Sequence, residues 1–177
     1  MKKQKLQLWI LLVLLVILGA GYLGLQKYNE SQSQKEEEPQ GQMIVSLEES
    51  DIVRLAYDYE GTTYSYEKTD DTWYYTEDTT LKLTQSSLNS VAANVAEITA
   101  LNTITGVTDM EQYGLLEPAR TFSFATAGES YEFYVGDYNE MADLYYICRP
   151  GEDTVYTVET AVITAFDLDV MDMVVEE

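Results

Sequence analysis

The sequence predicts an α+β protein, with an N-terminal transmembrane helix followed by an antiparallel β-rich domain and an amphipathic helix packed on its sheet. Three observations support this. Most of the chain alternates apolar and polar residues in short runs between turn residues, which is typical of antiparallel strands. Residues 84–101 instead place apolar residues at steps of three and four, the helical period. Residues 6–25 contain no charged residue.

The apolar run at residues 6–25 is long enough to cross a membrane. At about 1.5 Å per residue it makes a helix of roughly 30 Å, which matches the hydrocarbon thickness of a bilayer. Lysines in residues 1–5 precede it and acidic residues follow it, so the positive-inside rule predicts a cytoplasmic tail and an extracytoplasmic remainder. Small residues at 19–21 leave open a cleaved signal peptide, although the run continues to Leu25.

The charge divides the chain into two parts. Residues 1–25 have three lysines and no acidic residue, whereas residues 26–177 hold 7 basic and 31 acidic residues. Residues 26–42 lack an apolar period and predict a flexible acidic linker to a folded domain at 43–177. So large an acidic surplus repels phosphate backbones, which argues against nucleic acid as a partner.

Composition also removes several function classes. The chain contains no histidine and a single cysteine, Cys148, which alternates with apolar residues and is expected in the core. It therefore has no histidine-activated nucleophile, no histidine-bound metal and no intrachain disulfide. Nothing singles out a carboxylate pair among the acidic residues, so we expect no catalytic residue, no cofactor and no enzyme activity.

A three-stranded meander opens the predicted domain. Apolar and aromatic residues alternate over 51–59 and again over 62–68, on either side of a Glu60-Gly61 turn. A second turn leads into a short strand at residues 73–76. The amphipathic helix at 84–101 follows, and we expect it to cover one face of the sheet.

A helical turn at residues 109–113 precedes the second group of strands. Thr108 and Glu111 match the capping box that begins such a turn. A final amphipathic helix at 160–166 and an edge strand at 170–175 complete the prediction. For the longer helix, the sequence offers Thr84 or Ser86 as the N-cap. The second group of strands is expected at residues 121–126, 131–136, 144–149 and 154–158.

Motifs along this domain resemble a known bacterial family. They comprise Asp71 to Trp73, the run DMEQYGLLEP at 109–118, and strand ends at 134–136, 145–146 and 155–156. The pattern is similar to domain of unknown function family 4340 over residues 45–175. The resemblance implies a β-rich envelope domain that follows a transmembrane segment and is often encoded near gliding-type or other ABC-transporter components. It brings no established catalytic residues.

The signature positions of this resemblance indicate packing rather than chemistry. A glycine with positive φ ends the short helical turn, a proline prevents its resumption, and the flanking tyrosine and leucine attach it to the sheet. The positions that we expect to be structural are Trp73, Tyr113, Gly114, Leu115, Pro118 and Gly136.

Aromatic and acidic residues supply the remaining candidates. Most of the 15 tyrosines alternate with core residues and are explained by cross-strand packing. The acidic stretch beginning at Asp137 departs from the calcium-loop pattern at its third ligand and lacks the required glycine, so we do not expect calcium or another metal there. Four tyrosines left over by alternation form a candidate interaction surface: Tyr74, Tyr134, Tyr138 and Tyr145.

Together these observations predict a single-pass membrane protein whose extracytoplasmic domain is a non-catalytic interaction module. The resemblance implies an ABC-type transporter component as its partner, and the acidic charge requires a basic or neutral docking surface. The alternative is an envelope glycan- or peptide-binding domain that uses the exposed tyrosines.

Overall fold

The computed structural model describes residues 41–175. These residues form an antiparallel β-rich domain with two helices, which confirms the fold class predicted for this part of the chain. The helices are α1 (Gln85–Ala96) and α2 (Thr160–Thr164). The strands are β1 (Gln42–Ser46), β2 (Arg54–Tyr59), β3 (Thr62–Thr69), β4 (Thr72–Tyr75), β5 (Glu97–Ala100), β6 (Asn102–Ile104), β7 (Arg120–Ala125), β8 (Ser130–Asn139), β9 (Leu144–Cys148) and β10 (Val155–Glu159).

The large sheet has eight strands in the order β4-β3-β2-β7-β8-β9-β10-β6. Every neighbouring pair in it is antiparallel. The predicted meander supplies β4, β3 and β2. The sheet continues from β2 through β7, β8, β9 and β10 to β6. A separate two-stranded sheet joins β1 to β5.

One face of the large sheet carries the main core, and we call it the inner face. Register places Tyr64, Tyr57, Phe122 and Phe133 side by side across β3, β2, β7 and β8 on this face. Phe122 stacks on Phe133 with ring centroids 5.1 Å apart and on Phe166 at 4.7 Å. These rings belong to a single buried cluster that also includes side chains of α1, β1, β5 and the C-terminal segment.

Helix α1 ends earlier than its apolar period predicts. The helix stops at Ala96, and residues 97–100 form β5, with Ile98 and Ala100 buried. The prediction failed because these residues satisfy both periods, and pairing with β1 favours the extended form. At the other end Thr84 occupies the N-cap position, but its side chain makes no capping bond.

Two further local predictions are wrong because aspartate side chains bind the backbone. Residues Val170–Met173 of the predicted edge strand form a 3₁₀ turn, in which Asp169 accepts a hydrogen bond from the Met171 N–H at 2.7 Å. The end of the predicted strand does pair, because Val174 forms an antiparallel bridge with Leu83. The turn at Glu111–Tyr113 is likewise 3₁₀, and the Asp109 side chain, instead of Thr108, accepts the Glu111 N–H.

The free edge of β4 is covered by a side chain. Gln85, at the start of α1, accepts the Trp73 N–H through Oε1 at 2.7 Å and donates through Nε2 to the Trp73 carbonyl at 3.1 Å. One carboxamide therefore satisfies a backbone donor and acceptor that would otherwise lie open at the sheet edge.

The predicted tail at 1–5, the anchor at 6–25 and most of the linker at 26–42 lie outside the described residues. Within 41–175, no helix has both the length and the apolar character needed to span a bilayer. The compact unit to which the described residues belong begins at Gly41.

Candidate functional site

The four candidate tyrosines do not form one surface. Tyr74 lies on β4 and is 37% exposed, whereas Tyr138 lies on β8, is 42% exposed and packs against Tyr145 at 5.0 Å. Four strand spacings of about 4.8 Å separate β4 from β8, or roughly 20 Å. Tyr134 is half-buried and packs against a small cluster that contains Cys148, whose own burial confirms its predicted core position.

The tyrosines predicted to be structural are packed in the core. Tyr57 bonds the Leu168 carbonyl at 3.1 Å and lies 3.3 Å from the Tyr66 hydroxyl, and burial raises the pKa of Tyr57 to about 12. Tyr64 donates to Asp169 Oδ2 at 2.7 Å, and this hydrogen bond, with burial, raises the pKa of Tyr64 to about 12. These phenols fasten the meander to the C-terminal segment.

Trp73, the first of the signature positions, is fully buried between β4 and α1. Its indole Nε1 donates to Asn89 Oδ1 at 3.0 Å, and its backbone is bound by Gln85 on both sides. The Lys68 ammonium lies 5.6 Å from the ring centroid. Every polar group of this tryptophan is therefore used to hold the helix on the sheet edge.

Tyr113, Gly114 and Leu115 lie against Gly136 and its neighbour Asp137 on β8. A Cβ added to Gly136 would collide with the Tyr113 carbonyl and lie 2.9 Å from Leu115 Cγ. Gly114 has a φ of 68°, ends the 3₁₀ turn as predicted, and lies against Asp137. Leu115 is buried, and half-buried Pro118 lies just before β7. The segment at 109–118, which we call the signature segment, thus packs on the sheet through a glycine contact.

The face opposite the core, here the outer face, is only partly covered. The signature segment covers it from β8 to β10, where Leu115 packs with Cys148 and Val155. Over β3, β2, β7 and the start of β8 the face is open, and register places Ser65, Ala56, Ser123 and Glu132 side by side there. Small side chains leave a groove of about 730 Å³ above them.

The walls of this outer groove are charged and polar. Arg54 and Glu67 lie on one side, and Glu132 and Glu152 on the other. Arg149 also lines it, while its Nη2 donates to the Ile44 carbonyl at 3.1 Å. Tyr74 pairs with Glu67 in register, so this exposed ring lies beside the groove. In the sequence, the groove is indicated by small residues that alternate with large aromatic ones along β2, β3 and β7.

Carboxylates with shifted pKa values serve the fold. Burial opposes ionisation of Asp58, but hydrogen bonds from Thr63 and Thr121 outweigh it and lower the pKa of Asp58. Hydrogen bonds from Tyr64 and the Met171 N–H lower the pKa of Asp169. Among residues 41–175, no three acidic or cysteine side chains are grouped so that they could hold a metal ion.

A known protein family matches the part of the chain that contains the signature positions. A family model described as Domain of unknown function (DUF4340) matches residues 73–177. The matched stretch begins at Trp73 and includes the whole signature segment and Gly136. No curated protein and no solved structure matches the chain.

Proposed function

This chain belongs to the DUF4340 family, and on that premise we propose that it is a membrane-anchored, non-catalytic interaction module. Residues 6–25 anchor it with the N-terminus in the cytoplasm, and the folded domain lies outside in the cell envelope. Its partner is a second membrane protein, a component of an ABC-type transporter complex.

The observation that carries this proposal is the outer groove. The groove, at about 730 Å³, has the size of a cleft that binds a small molecule, so it has room for side chains of another protein. Its floor of alanine and serine leaves the sheet accessible to a segment of another protein, and its charged walls offer donors and acceptors.

Charge limits the chemistry of the partner. Residues 41–175 hold 25 acidic and 5 basic residues. A domain of this charge is repelled from anionic lipid headgroups and anionic envelope polymers. The docking surface of the partner is therefore basic or neutral.

Affinity purification of the full chain from membranes in mild detergent tests the proposal. We expect a stoichiometric membrane protein to be recovered with the wild-type chain and to be lost with Ser123→Trp, which fills the groove. Thr79→Trp adds the same ring at an exposed loop position that does not line the groove and serves as the control. Circular dichroism establishes that both variants are folded. Equal recovery with Ser123→Trp would exclude the groove as the binding surface.

A second candidate function is binding of an envelope glycan or peptide. The exposed Tyr74 ring beside the groove favours it, because aromatic faces bind sugars and tyrosine is enriched at recognition surfaces. Sedimentation with purified cell walls tests this alternative. Tyr74→Ala should reduce the bound fraction, while Tyr138→Ala, at the far side of the sheet, should not. Unchanged binding by both variants would contradict this use of the tyrosines.

A further inference from the structure

The turn between β8 and β9 exposes apolar side chains at one end of the domain. We call residues 137–143 the hairpin tip. Met141 is 99% exposed there, and Tyr138 is 42% exposed. Tyr145 supports the Tyr138 ring from β9 at a centroid distance of 5.0 Å. Methionine and tyrosine are both enriched in protein interfaces, and both of these side chains are accessible in the hairpin tip.

Asn139 holds the tip in one conformation. Its Oδ1 accepts the backbone N–H groups of Met141 and Ala142, each at 3.2 Å. Its Nδ2 donates to the Tyr146 hydroxyl at 2.9 Å. The Tyr146 ring in turn packs edge-on against Tyr113 at 5.0 Å. The turn is therefore tied to the signature segment through side chains.

Asp143 fixes the other side of the tip. Its φ of 56° is left-handed, and its Oδ1 accepts hydrogen bonds from the Tyr138 hydroxyl at 2.7 Å and from Thr160 Oγ1 at 2.8 Å. Thr160 also donates to the Asp143 carbonyl at 2.9 Å. The tip is thus attached to the first residue of α2. A preformed turn loses little conformational entropy on binding, which favours affinity.

The charge around Met141 has one sign. Asp137, Glu140 and Asp143 belong to the tip, and no lysine or arginine occurs between Arg120 and Arg149. A complementary surface therefore combines an apolar pocket with basic residues at its rim. Anionic lipid headgroups are repelled by the same carboxylates, so a membrane surface does not fit this tip.

We propose that the hairpin tip is a docking element that inserts Met141 into an apolar pocket of a partner protein rimmed by lysine or arginine. This rests on the proposed function, which requires a protein partner, and adds a second contact separate from the outer groove. Tyr138 packs against the edge of the pocket, and the carboxylates of the tip pair with its basic rim.

Site-specific photo-crosslinking in cells that express the full chain tests this directly. A photoreactive residue replaces Met141 in one strain and Met171 in another. Met171 is a matched control, because it is 67% exposed and lies between acidic residues, but on the 3₁₀ turn at Val170–Met173. We expect roughly tenfold more crosslinked protein from position 141, mapped by mass spectrometry to an apolar site beside lysine or arginine.

Other outcomes overturn the proposal. Equal yields at the two positions, a crosslink to lipid, or a crosslink to a second copy of this chain would each contradict it.

Purification from membranes separates this inference from the proposed function. We expect Met141→Ser to weaken retention of the partner about tenfold and Met171→Ser to leave it unchanged. If Met141→Ser retains the partner fully and Ser123→Trp loses it, the docking role of the hairpin tip is refuted and the outer groove remains the binding surface. Absence of any membrane protein partner for the wild-type chain would refute both.

Discussion

The two faces of the large sheet differ sharply, although the same four strands build both. On the inner face Tyr64, Tyr57, Phe122 and Phe133 lie side by side across β3, β2, β7 and β8. The residues next to these in sequence point to the outer face and form a row of much smaller or charged side chains: Ser65, Ala56, Ser123 and Glu132. Alternation along a strand thus assigns one row to stability and leaves the other accessible.

This difference shows where binding can be sought without disturbing the fold. The inner row is buried and its rings stack, so each change there removes contacts. The outer row borders open space, and its variants should affect binding with little effect on stability. The signature segment is intermediate, since it covers the outer face only over part of the sheet, from β8 to β10.

The largest effect is expected from Phe122→Ala on the inner face. It removes a ring that stacks on Phe133 and Phe166, and should lower the free energy of unfolding by about 3–5 kcal/mol. Urea denaturation of the full chain in mild detergent, followed by near-ultraviolet circular dichroism, measures this. Ser123→Ala, the next residue on the same strand, should change it by less than about 0.5 kcal/mol. Similar losses in both variants would abolish the distinction between the faces.

Alkaline pH should also affect the inner face selectively. In the unfolded chain tyrosine ionises near pH 10, whereas the pKa of Tyr57 is about 12 in the fold because of burial. Stability from the protonated phenol is therefore complete below pH 10 and is lost as pH rises through about 12. Tyrosinate absorbance and circular dichroism should change together, and Tyr57→Phe should move unfolding to higher pH. An unchanged midpoint in Tyr57→Phe, with Tyr74→Phe as control, would contradict this.

An intermediate effect is expected where the signature segment meets the outer face. Gly136→Ala places a methyl group against the Tyr113 carbonyl and should cost about 1–3 kcal/mol of unfolding free energy. Gly128→Ala is the matched control, because a Cβ there meets no atom within 4 Å. The same urea denaturation compares them. If Gly136→Ala is as stable as Gly128→Ala, the glycine contact does not explain the signature.

The smallest effect on stability is expected when a small residue of the outer row is replaced by a large one. Ser65→Tyr gives the outer face the residue type that its neighbour Tyr64 gives the inner face. The ring enters the groove, so the free energy of unfolding should change by less than about 0.5 kcal/mol. A loss above about 1.5 kcal/mol in urea denaturation would mean that the outer row is packed.

Alternation explains why much of the fold was predictable. Residues 54–59 and 62–69 alternate so regularly that each strand and its buried face follow from the sequence. The left-handed Gly114 was predicted for a similar reason, since a local backbone requirement selects glycine. In both cases the deciding physics lies within a few neighbouring residues.

The predictions from the sequence failed where residues far apart in the chain decide the structure. Strand β5 depends on its partner β1, and three-residue β6 depends on β10, so neither has a clear local pattern. The outer groove combines residues from four strands, and only register brings Ser65, Ala56 and Ser123 together. The attachment of the hairpin tip to α2 likewise depends on a hydrogen bond between Asp143 and Thr160, 17 positions away.

The Gln85 side chain blocks the addition of a further strand at the β4 edge of the sheet. A polymer of sheets grows when one edge adds to another, and each added strand must find a free donor and acceptor. At Trp73 the Gln85 carboxamide already supplies both, so an incoming strand must first displace a side chain held by its own helix. Copies of this domain concentrated on a surface can therefore collide at this edge without propagating a continuous sheet.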